Sequence, residues 1–294
     1  MGGTGFIGYH LGKFCLKKKW DVTSFSKNEP KKIRKLNKIE YLKGDLYNKE
    51  DFRKINFNFD YVVNLGGYVD HSNKIRTHNS HFIGCKNLSN FFLNKNIESF
   101  VQMGSSGEYG RLKSPQKENI NCRPMSIYNK AKFLATKHLI NLYRKKNFPV
   151  TILRLYQVYG PKQDINRLIA IVIDSCTKNK KFSCSNGKQY RDFIHVDDLV
   201  QSILKCFENK KAKGQIINIG TGKPKKIRNV INLIKNKIKN GQPQFGKIKL
   251  RPEETLKVYP KISKAKKILG WSPKIKFKNG LFSTIKSYQI DEKK

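Results

Sequence analysis

The chain has 294 residues, enough for one large domain or two closely packed ones, and its apolar residues fall in short runs such as YVVNLGG and QIINIGTG. Its 61 Lys and Arg residues against 21 Asp and Glu give a net charge of +40, but the lysines are spread over nearly every polar segment, without a nucleic-acid-binding motif. The 6 cysteines form no CxxC pair. We expect a folded cytoplasmic protein without a metal site, a specific nucleic-acid partner or a membrane span.

In chain order, the apolar positions first predict a helix that follows the glycine-rich start and runs to Trp20. Strands are predicted next, separated by helices or loops, in DVTSFS, IEYLKGD, NFDYVVNLGG, SFVQMGSS and PVTILRLYQVYG. Helices that alternate with short apolar strands are typical of a parallel sheet covered on both faces. We therefore predict an α/β fold with a doubly wound parallel sheet over residues 1–159.

The pattern changes after Gly160. Helices are predicted in RLIAIVIDSCTKN, DDLVQSILKCFEN and INLIKNKIKN, with short strands around CSNGKQYRDFIHV and a final pattern in KISKAKKILGWSP. We predict that residues 160–294 form mainly a smaller α/β domain that binds substrate. Within it, residues 192–220 are expected to return to the first domain.

The opening MGGTGFIGYHL places Gly2, Gly5 and Gly8 three apart. Such glycines allow a tight turn, a close approach of backbone to a pyrophosphate and close packing of helix on strand, as in the Rossmann βαβ unit. That unit begins with a strand, whereas only Met1 precedes the glycines here. We expect an incomplete reading frame, in which Met1 replaces or follows the end of the first strand; otherwise another segment fills the slot or the cofactor site is damaged.

Cofactor choice is usually decided at the end of the second strand of such a unit. Here that strand ends in Ser26 and Lys27, without the acidic residue that binds the ribose of NAD. This favours NADP over NAD, unless Lys27 is only a surface lysine. Asp45, in the sequence KGDL, is a candidate to accept a hydrogen bond from the adenine amino group, or is an ordinary turn residue.

A catalytic pattern lies in the middle of the chain. Tyr128 and Lys132 are four apart on a predicted helix, so they share a face, and an ammonium group near the phenol lowers the tyrosine pKa. Ser105 ends a predicted strand at the carboxyl edge of the sheet, where its hydroxyl can stabilise an oxyanion. Together these residues predict proton transfer and oxyanion stabilisation at one site.

The chain resembles the extended short-chain dehydrogenase/reductase family, whose members are mainly sugar-nucleotide epimerases, dehydratases and reductases. Matching motifs run in order along nearly the whole chain: GGTGFIG, the GD after the third strand, VVNLGG, SSGEYG, Tyr128 with Lys132, RLYQVYGP, RDFIHVDD, NIGTG and SKAKKILGWSP. The resemblance implies a nucleotide-sugar substrate, an NADP or NAD cofactor and a homodimer.

The resemblance also implies the roles of individual residues. It identifies Ser105, Tyr128 and Lys132 as catalytic. The implied cofactor-binding residues are Gly2, Gly5, Phe6, Ile7, Gly8, Ser26, Lys27, Asp45, Leu46, Leu65, Gly66, Gly67, Tyr128 and Lys132. The implied substrate-binding residues are Ser105, Ser106, Arg191 and Arg251, the two arginines for the diphosphate unless they form surface salt bridges. His81 stands where relatives usually have Asn, and we interpret it as packed or exposed rather than catalytic.

Four reactions or roles stay open. Gly107 stands where family dehydratases carry a glutamate, and Glu108 points elsewhere if the segment is extended, which disfavours a dehydratase. The preferred prediction is NADPH-dependent reduction of a nucleotide-linked 4-keto-6-deoxysugar. The C-terminal run GQPQFGKIKLRPEETLKVYPKISKAK also resembles that of reductases that act on such sugars. The alternative is an NAD-dependent 4-epimerase. A nonenzymatic alternative is a scaffold or RNA-associated protein that binds a dinucleotide without turnover.

Overall fold

The computed structural model describes residues 1–55, 58–68, 70, 72–250 and 254–291. The helices are α1 (Phe6–Lys17), α2 (Lys74–His78), α3 (Gly84–Phe92), α4 (Ile127–Lys146), α5 (Leu168–Thr177), α6 (Val196–Phe207), α7 (Ile227–Ile238), α8 (Ser263–Leu269) and α9 (Phe277–Asp291). The strands are β1 (Thr23–Ser26), β2 (Glu40–Lys43), β3 (Tyr61–Asn64), β4 (Ser99–Ser105), β5 (Val150–Leu155), β6 (Gln157–Tyr159), β7 (Lys181–Cys184), β8 (Tyr190–Arg191), β9 (Phe193–His195), β10 (Ile216–Ile219), β11 (Lys225–Lys226), β12 (Gln242–Phe245) and β13 (Lys257–Val258).

The main sheet is parallel and lies in two groups of strands. One group has the order β10-β5-β4-β3, and the other is the pair β1-β2. In the described part of the chain, no strand pairs with both β1 and β3. The predicted doubly wound α/β fold is confirmed, since parallel strands carry helices on both faces.

Met1 and Gly2 lie between the two groups of strands. The amino group of Met1 donates to the Val63 carbonyl at 2.7 Å, and the Leu65 amide donates to the Met1 carbonyl at 2.9 Å. On the other side, the Gly2 amide donates to the Phe25 carbonyl at 2.9 Å. These two residues therefore connect β1 to β3 through backbone hydrogen bonds, as a strand at this place would.

Two apolar cores cover the two faces of the sheet. In β4, Val101 and Met103 face the core built with α1, α6 and α8, whereas Phe100 faces the core built with α3 and α4. This alternation follows from the two-residue period of a strand. Helices on both faces leave the carboxyl edge of the sheet open, and that edge carries Ser105 at the end of β4.

The stretch predicted as one strand, PVTILRLYQVYG, is two strands in different sheets. Strand β5 ends at Leu155, and β6 begins at Gln157 and pairs with β9 in a separate two-stranded sheet. The break lies at Tyr156, a buried residue whose hydroxyl donates to Oε1 of Gln116, while the Gln157 amide donates to the Asp192 carbonyl. Hydrogen bonds to Gln116 and Asp192, which both lie outside the main sheet, thus accompany the departure of the chain from that sheet.

The C-terminal part has its own core and also contributes to the main sheet. Helices α5, α7 and α9 enclose a third apolar core with Phe193 and Leu281. Strand β10 instead pairs with β5, and α6 packs on the first core, so residues from the segment 192–220 belong to the main sheet. No helix in the described ranges has the length and apolar character needed to cross a membrane.

Candidate active site

A cavity of about 390 Å³ lies at the carboxyl edge of the main sheet. It brings together predicted site residues from four segments far apart in the sequence: Gly2, Gly5, Phe6, Ile7, Gly8, Leu65, Gly66, Gly67, Ser105, Ser106, Tyr128 and Lys132. Among the residues that the structure describes, no group of three or more His, Cys, Asp or Glu side chains is placed to hold a metal ion.

The glycine loop at one end of this cavity fits a dinucleotide. Gly2 has a φ of +74°, and a Cβ atom there would come within 2.8 Å of the Gly66 nitrogen. A Cβ atom on Gly8 would lie 2.5 Å from the Gly3 Cα, so helix and loop are in contact at this point. No side chain caps α1 at Gly5, which leaves its N-terminal amides to bind an anion. A tight glycine turn and an uncapped helix N-terminus are the two features that a pyrophosphate site requires.

Tyr128 and Lys132 lie in the first two turns of α4, which begins after the N-cap Ser126. Lys132 is buried, and its Nζ atom donates to the Met103 carbonyl at 2.8 Å, which fixes the ammonium group beside the end of β4. Lys132 and Tyr128 both line the cavity with Ser105. The predicted combination of a phenol, an ammonium group and a serine hydroxyl is thus present at one site.

Ser105 is the last, extended residue of β4 and caps the turn that follows. Its hydroxyl accepts a hydrogen bond from the Gly107 amide at 3.1 Å, and Glu108 accepts one from the Ser105 amide at 2.8 Å. The segment Ser106–Tyr109 is a 3-10 turn, so the extended conformation assumed in the sequence argument about Glu108 does not continue beyond Ser105. Glu108 still points away from the cavity, because it is 0% exposed and forms an ion pair with Arg154.

His81 is buried and contacts the predicted catalytic tyrosine. It lies in a π-helical turn (Asn79–Ile83) between α2 and α3, and its ring meets that of Tyr128 edge to face, with centroids 4.9 Å apart. Its Nε2 atom lies 3.1 Å from the Tyr68 carbonyl, which makes Nε2 the protonated nitrogen of the ring. A Cβ atom on Gly67 would come within 2.1 Å of the His81 ring, so only glycine fits there.

The predicted cofactor determinants at the end of β1 lie outside the lining of the cavity. The Nζ atom of Lys27 is 2.7 Å from Oδ2 of Asp45, so these two candidates form an ion pair with each other. Ser26 is buried, with its hydroxyl 3.3 Å from that of Ser24. Leu46 packs behind the loop, where a Cβ atom on Gly66 would lie 2.7 Å from its Cδ1.

The two predicted diphosphate-binding arginines are not among the lining residues of this cavity. Arg191 lies in β8, where its Nη2 atom is 2.5 Å from Oε1 of Glu254 and its Nη1 atom donates to the Tyr190 carbonyl. Burial lowers the pKa of Arg191, and the Glu254 carboxylate opposes that effect. Arg251 lies outside the described residues.

A strap that the sequence did not indicate lies at the rim of the cavity beside α1, where His10 Nε2 is 2.9 Å from the Pro161 carbonyl oxygen. We define the strap as residues 161–164; within it, Gln163 and Asp164 line the cavity. Arg34, which is 4% exposed, donates to Asp164 at 2.6 Å and to the Lys162 carbonyl at 3.0 Å. Lys162 donates in return to the Ile33 carbonyl at 2.6 Å. The strap thus joins the loop after β1 to the segment after β6.

Other lining residues were also absent from the sequence-based set. Tyr156 is one of them, and burial raises its pKa, so its phenol stays protonated while it donates to Gln116. The contact of Glu108 with Ser105, outside the lining, could have been predicted, because the spacing Ser-x-x-Glu from Ser105 is that of a capping box. For the strap there was no such signal, since Arg34 and Asp164 are 130 residues apart.

The comparisons with known proteins agree with this geometry. Residues 1–220 match the NAD dependent epimerase/dehydratase family. A Methanocaldococcus jannaschii protein named "Putative UDP-glucose 4-epimerase" is 29% identical over 293 residues, 95% of this chain and 94% of that protein. UDP-glucuronic acid decarboxylase 6 of Arabidopsis thaliana is 26% identical over 297 residues, 95% of this chain and 85% of that protein.

Among solved structures, the UDP-glucose 4-epimerase of Thermotoga maritima with UDP-glucose has a TM-score of 0.93 at 24% identity, over 99% of this chain and 98% of that chain. The Thermus thermophilus UDP-glucose 4-epimerase complex with NAD has a TM-score of 0.88 at 21% identity, over 98% of this chain and 97% of that chain. These structures share the fold, and the sequence match covers most of the chain. The resemblance to the extended short-chain dehydrogenases is therefore confirmed, and the chain belongs to the NAD-dependent epimerase/dehydratase family.

Proposed function

We propose that this protein is an NAD-dependent enzyme that inverts the configuration at C4 of a nucleotide-linked sugar. The observation that carries the proposal is the ion pair of Lys27 with Asp45 at the end of β1. Of the cations in the following loop, Lys31 and Arg34 are likewise paired, both with Asp164. Two carboxylates thus offset two of these three positive charges, which weakens their attraction for the 2′-phosphate of NADP. The alternative from the sequence, the epimerase, thus becomes the main proposal.

The site residues supply the acid–base chemistry of this reaction. The glycine loop with Gly2, Gly5 and Gly8 would hold NAD, which would supply reversible hydride transfer at C4 of the sugar. Tyr128 accepts the proton of the C4 hydroxyl during oxidation and gives it back during reduction. Lys132 stabilises the phenolate, and Ser105 donates a hydrogen bond to the oxygen on C4 as negative charge develops there. Nothing is consumed, so oxidation and reduction balance within one turnover.

The environment of Glu108 argues against a dehydratase that uses this residue. Its carboxylate is 0% exposed and accepts from both Arg154 and the Ser105 amide, so it is occupied away from the cavity. The neighbouring position is Gly107, where a Cβ atom would come within 2.0 Å of Oδ1 of Asn129. The carboxylate of Glu108 is thus engaged away from the cavity, and position 107 carries no acidic side chain.

NADPH-dependent reduction of a 4-keto-6-deoxysugar nucleotide stays as the second candidate. The observation that favours it is the absence of an acidic residue at the end of β1, where Lys27 is 72% exposed on its side chain. A reductase consumes one NADPH per turnover, whereas an epimerase consumes none. The two proposals therefore differ in stoichiometry as well as in cofactor.

The test incubates the purified chain with UDP-glucose and either NAD or NADP, and measures UDP-galactose by chromatography. We expect conversion with NAD and no net formation of NADH. Tyr128→Phe should lower kcat by about 100-fold or more, since general acid–base catalysis is lost. Tyr143→Phe removes a hydroxyl from the same helix outside the cavity and serves as the matched control. NADPH oxidation with a 4-keto-sugar nucleotide, without epimerisation, would instead establish the reductase.

The location and oligomeric state are part of the same proposal. We expect a cytoplasmic homodimer that binds nucleotide sugars and neither membranes nor a specific nucleic acid. The net charge of +40 would draw the anionic substrate toward the protein at low ionic strength.

A further inference from the structure

The buried ion pair of Glu108 with Arg154 lies directly behind Ser105. Glu108 is 0% exposed and Arg154 is 2% exposed. The Nε and Nη2 atoms of Arg154 lie 3.0 Å and 2.9 Å from the same Oε2 atom of Glu108. Removing both charges from water costs several kcal/mol per ion, so a buried ion pair points to a role beyond stabilising the fold. The arrangement of the remaining carboxylate oxygen indicates what that role is.

The second oxygen of Glu108 holds the backbone of Ser105. Oε1 accepts the Ser105 amide at 2.8 Å, and the Ser105 hydroxyl accepts the Gly107 amide at 3.1 Å. A hydroxyl has one hydrogen to donate and two lone pairs. Since one lone pair receives the Gly107 amide, the oxygen is anchored, and its hydrogen can be donated to an oxygen in the cavity.

The packing around the pair keeps this geometry in place. A Cβ atom on Gly104 would lie 2.7 Å from Oε1 of Glu108, so the glycine before Ser105 makes room for the carboxylate. The guanidinium of Arg154 stacks on the Tyr109 ring at 4.6 Å, and the Tyr109 hydroxyl donates to Asn218 in β10. The carboxylate is therefore held from two sides, by β5 through Arg154 and by the turn itself.

We propose that Glu108 and Arg154 are positioning residues, which hold Ser105 in the orientation that donates a hydrogen bond to the reacting oxygen of the substrate. Neither side chain lines the cavity, so both act through Ser105. This inference rests on the proposed hydride-transfer function, in which Ser105 contacts the reacting oxygen. It applies equally to epimerisation and to reduction, because both place negative charge on that oxygen.

The experiment compares pairs of substitutions that remove both charges together. Replacing a buried ion pair by apolar residues of similar volume is often tolerated by the fold, whereas removal of one partner is not. Glu108→Leu with Arg154→Met removes the acceptor for the Ser105 amide. Glu108→Gln with Arg154→Met keeps an acceptor of the same shape without the charges. Glu50→Leu with Arg53→Met changes the same residue types in an exposed ion pair and is the control.

We expect the leucine pair to lower kcat by about 10- to 100-fold, the cost of a misplaced catalytic group, with KM and NAD affinity within about threefold of the unmodified chain. The glutamine pair should recover most of that loss. In a Ser105→Ala background the leucine pair should cost less than about twofold, since residues that act as one unit are not additive. An equal loss in both backgrounds, or a higher KM with unchanged kcat, would overturn the proposal.

A measurement without substrate separates this proposal from the proposed function. Hydrogen exchange of the Ser105 amide should be at least about tenfold faster in the leucine pair than in the glutamine pair, because only the latter keeps its acceptor. Equal exchange overturns the positioning role, even if the chain is an active epimerase. Should the leucine pair not fold, Glu108→Met with Arg154→Met provides the same comparison. A chain inactive in both reactions, with the expected exchange, overturns the proposed function alone.

Discussion

Lys27 and Asp45, one at the end of β1 and the other in the turn after β2, form an ion pair of 2.7 Å. Each was a candidate cofactor residue in the sequence, and the structure joins them. A lysine that is paired with a carboxylate attracts a phosphate less than an unpaired one does, because the two charges partly cancel. The pair therefore provides a direct test of cofactor preference.

Asp45→Asn should shift the cofactor preference toward NADP. The asparagine keeps an oxygen for the Tyr47 amide, which donates to Oδ1 of Asp45, but leaves Lys27 without its carboxylate. We expect the ratio of Kd for NADP to Kd for NAD to fall by about three- to tenfold, measured by fluorescence titration at low salt. Asp21→Asn removes one exposed carboxylate elsewhere as the control. An unchanged ratio would show that Lys27 does not contribute to cofactor choice.

The strap of residues 161–164 should slow the release of the cofactor. An epimerase must keep the reduced cofactor until the hydride returns, and Asp164 anchors the strap to Arg34 and Lys31. Asp164→Asn should accelerate NADH dissociation by roughly tenfold, since a hydrogen bond between charged groups contributes about 1.5–3 kcal/mol. Stopped-flow displacement of bound NADH measures this rate. As a control, Asp174→Asn removes the ion pair between Asp174 in α5 and Lys178 just after it, and should leave the rate unchanged.

Protonation of His195 should reduce stability in mildly acidic solution. Burial lowers the pKa of its imidazole, and the Asp197 carboxylate only partly opposes this. The unfolded chain therefore takes up this proton near pH 6.5, before the folded chain does, and stability is lost as the pH falls from there to the folded pKa. The free energy of unfolding of the unmodified chain minus that of His195→Asn should decrease between pH 7 and pH 5. A difference that stays constant or rises as the pH falls would contradict the lowered pKa of His195.

Gly107→Ala should reduce activity through contact with Asn129. The new Cβ atom would lie 2.0 Å from Oδ1 of Asn129, the residue that follows Tyr128 on α4. Displacing Asn129 costs about 1–3 kcal/mol, as other overpacked sites do, and moves the first turn of α4. Asn129→Ala in the same chain should restore both kcat and melting temperature. Failure of this second substitution to restore activity would place the fault in the turn itself.

The candidate catalytic residues could be placed from the sequence because their relationships are local. Tyr128 and Lys132 lie one turn apart on α4, and Ser105 ends an apolar strand, so helix and sheet periodicity place them correctly. Lys27 and Asp45 were each noticed, but nothing in their spacing showed that they would pair. Arg34 and Asp164 meet only because the loop after β1 and the segment after β6 cross in space. Long-range ion pairs depend on tertiary packing, which periodicity does not report.

The chain leaves the main sheet shortly before residue 159, where we predict the boundary between the two domains. Strand β6, from Gln157, leaves the main sheet and pairs with β9. The single long strand predicted there was wrong, because the apolar run continues through Tyr156 without a glycine or proline to mark the break. The break depends on the hydrogen bond of Tyr156 to Gln116, which the sequence does not reveal.

The return of β10 to the main sheet also determines how the chain comes apart. Ile217 and Ile219, in a strand encoded after the C-terminal part has begun, complete the core that contains Val101 and Leu153. This core therefore contains apolar side chains of both parts, so melting the C-terminal part also exposes Val101 and Leu153 to water. Calorimetry should accordingly record one heat-absorption peak for both parts, with a calorimetric enthalpy equal to the van't Hoff value.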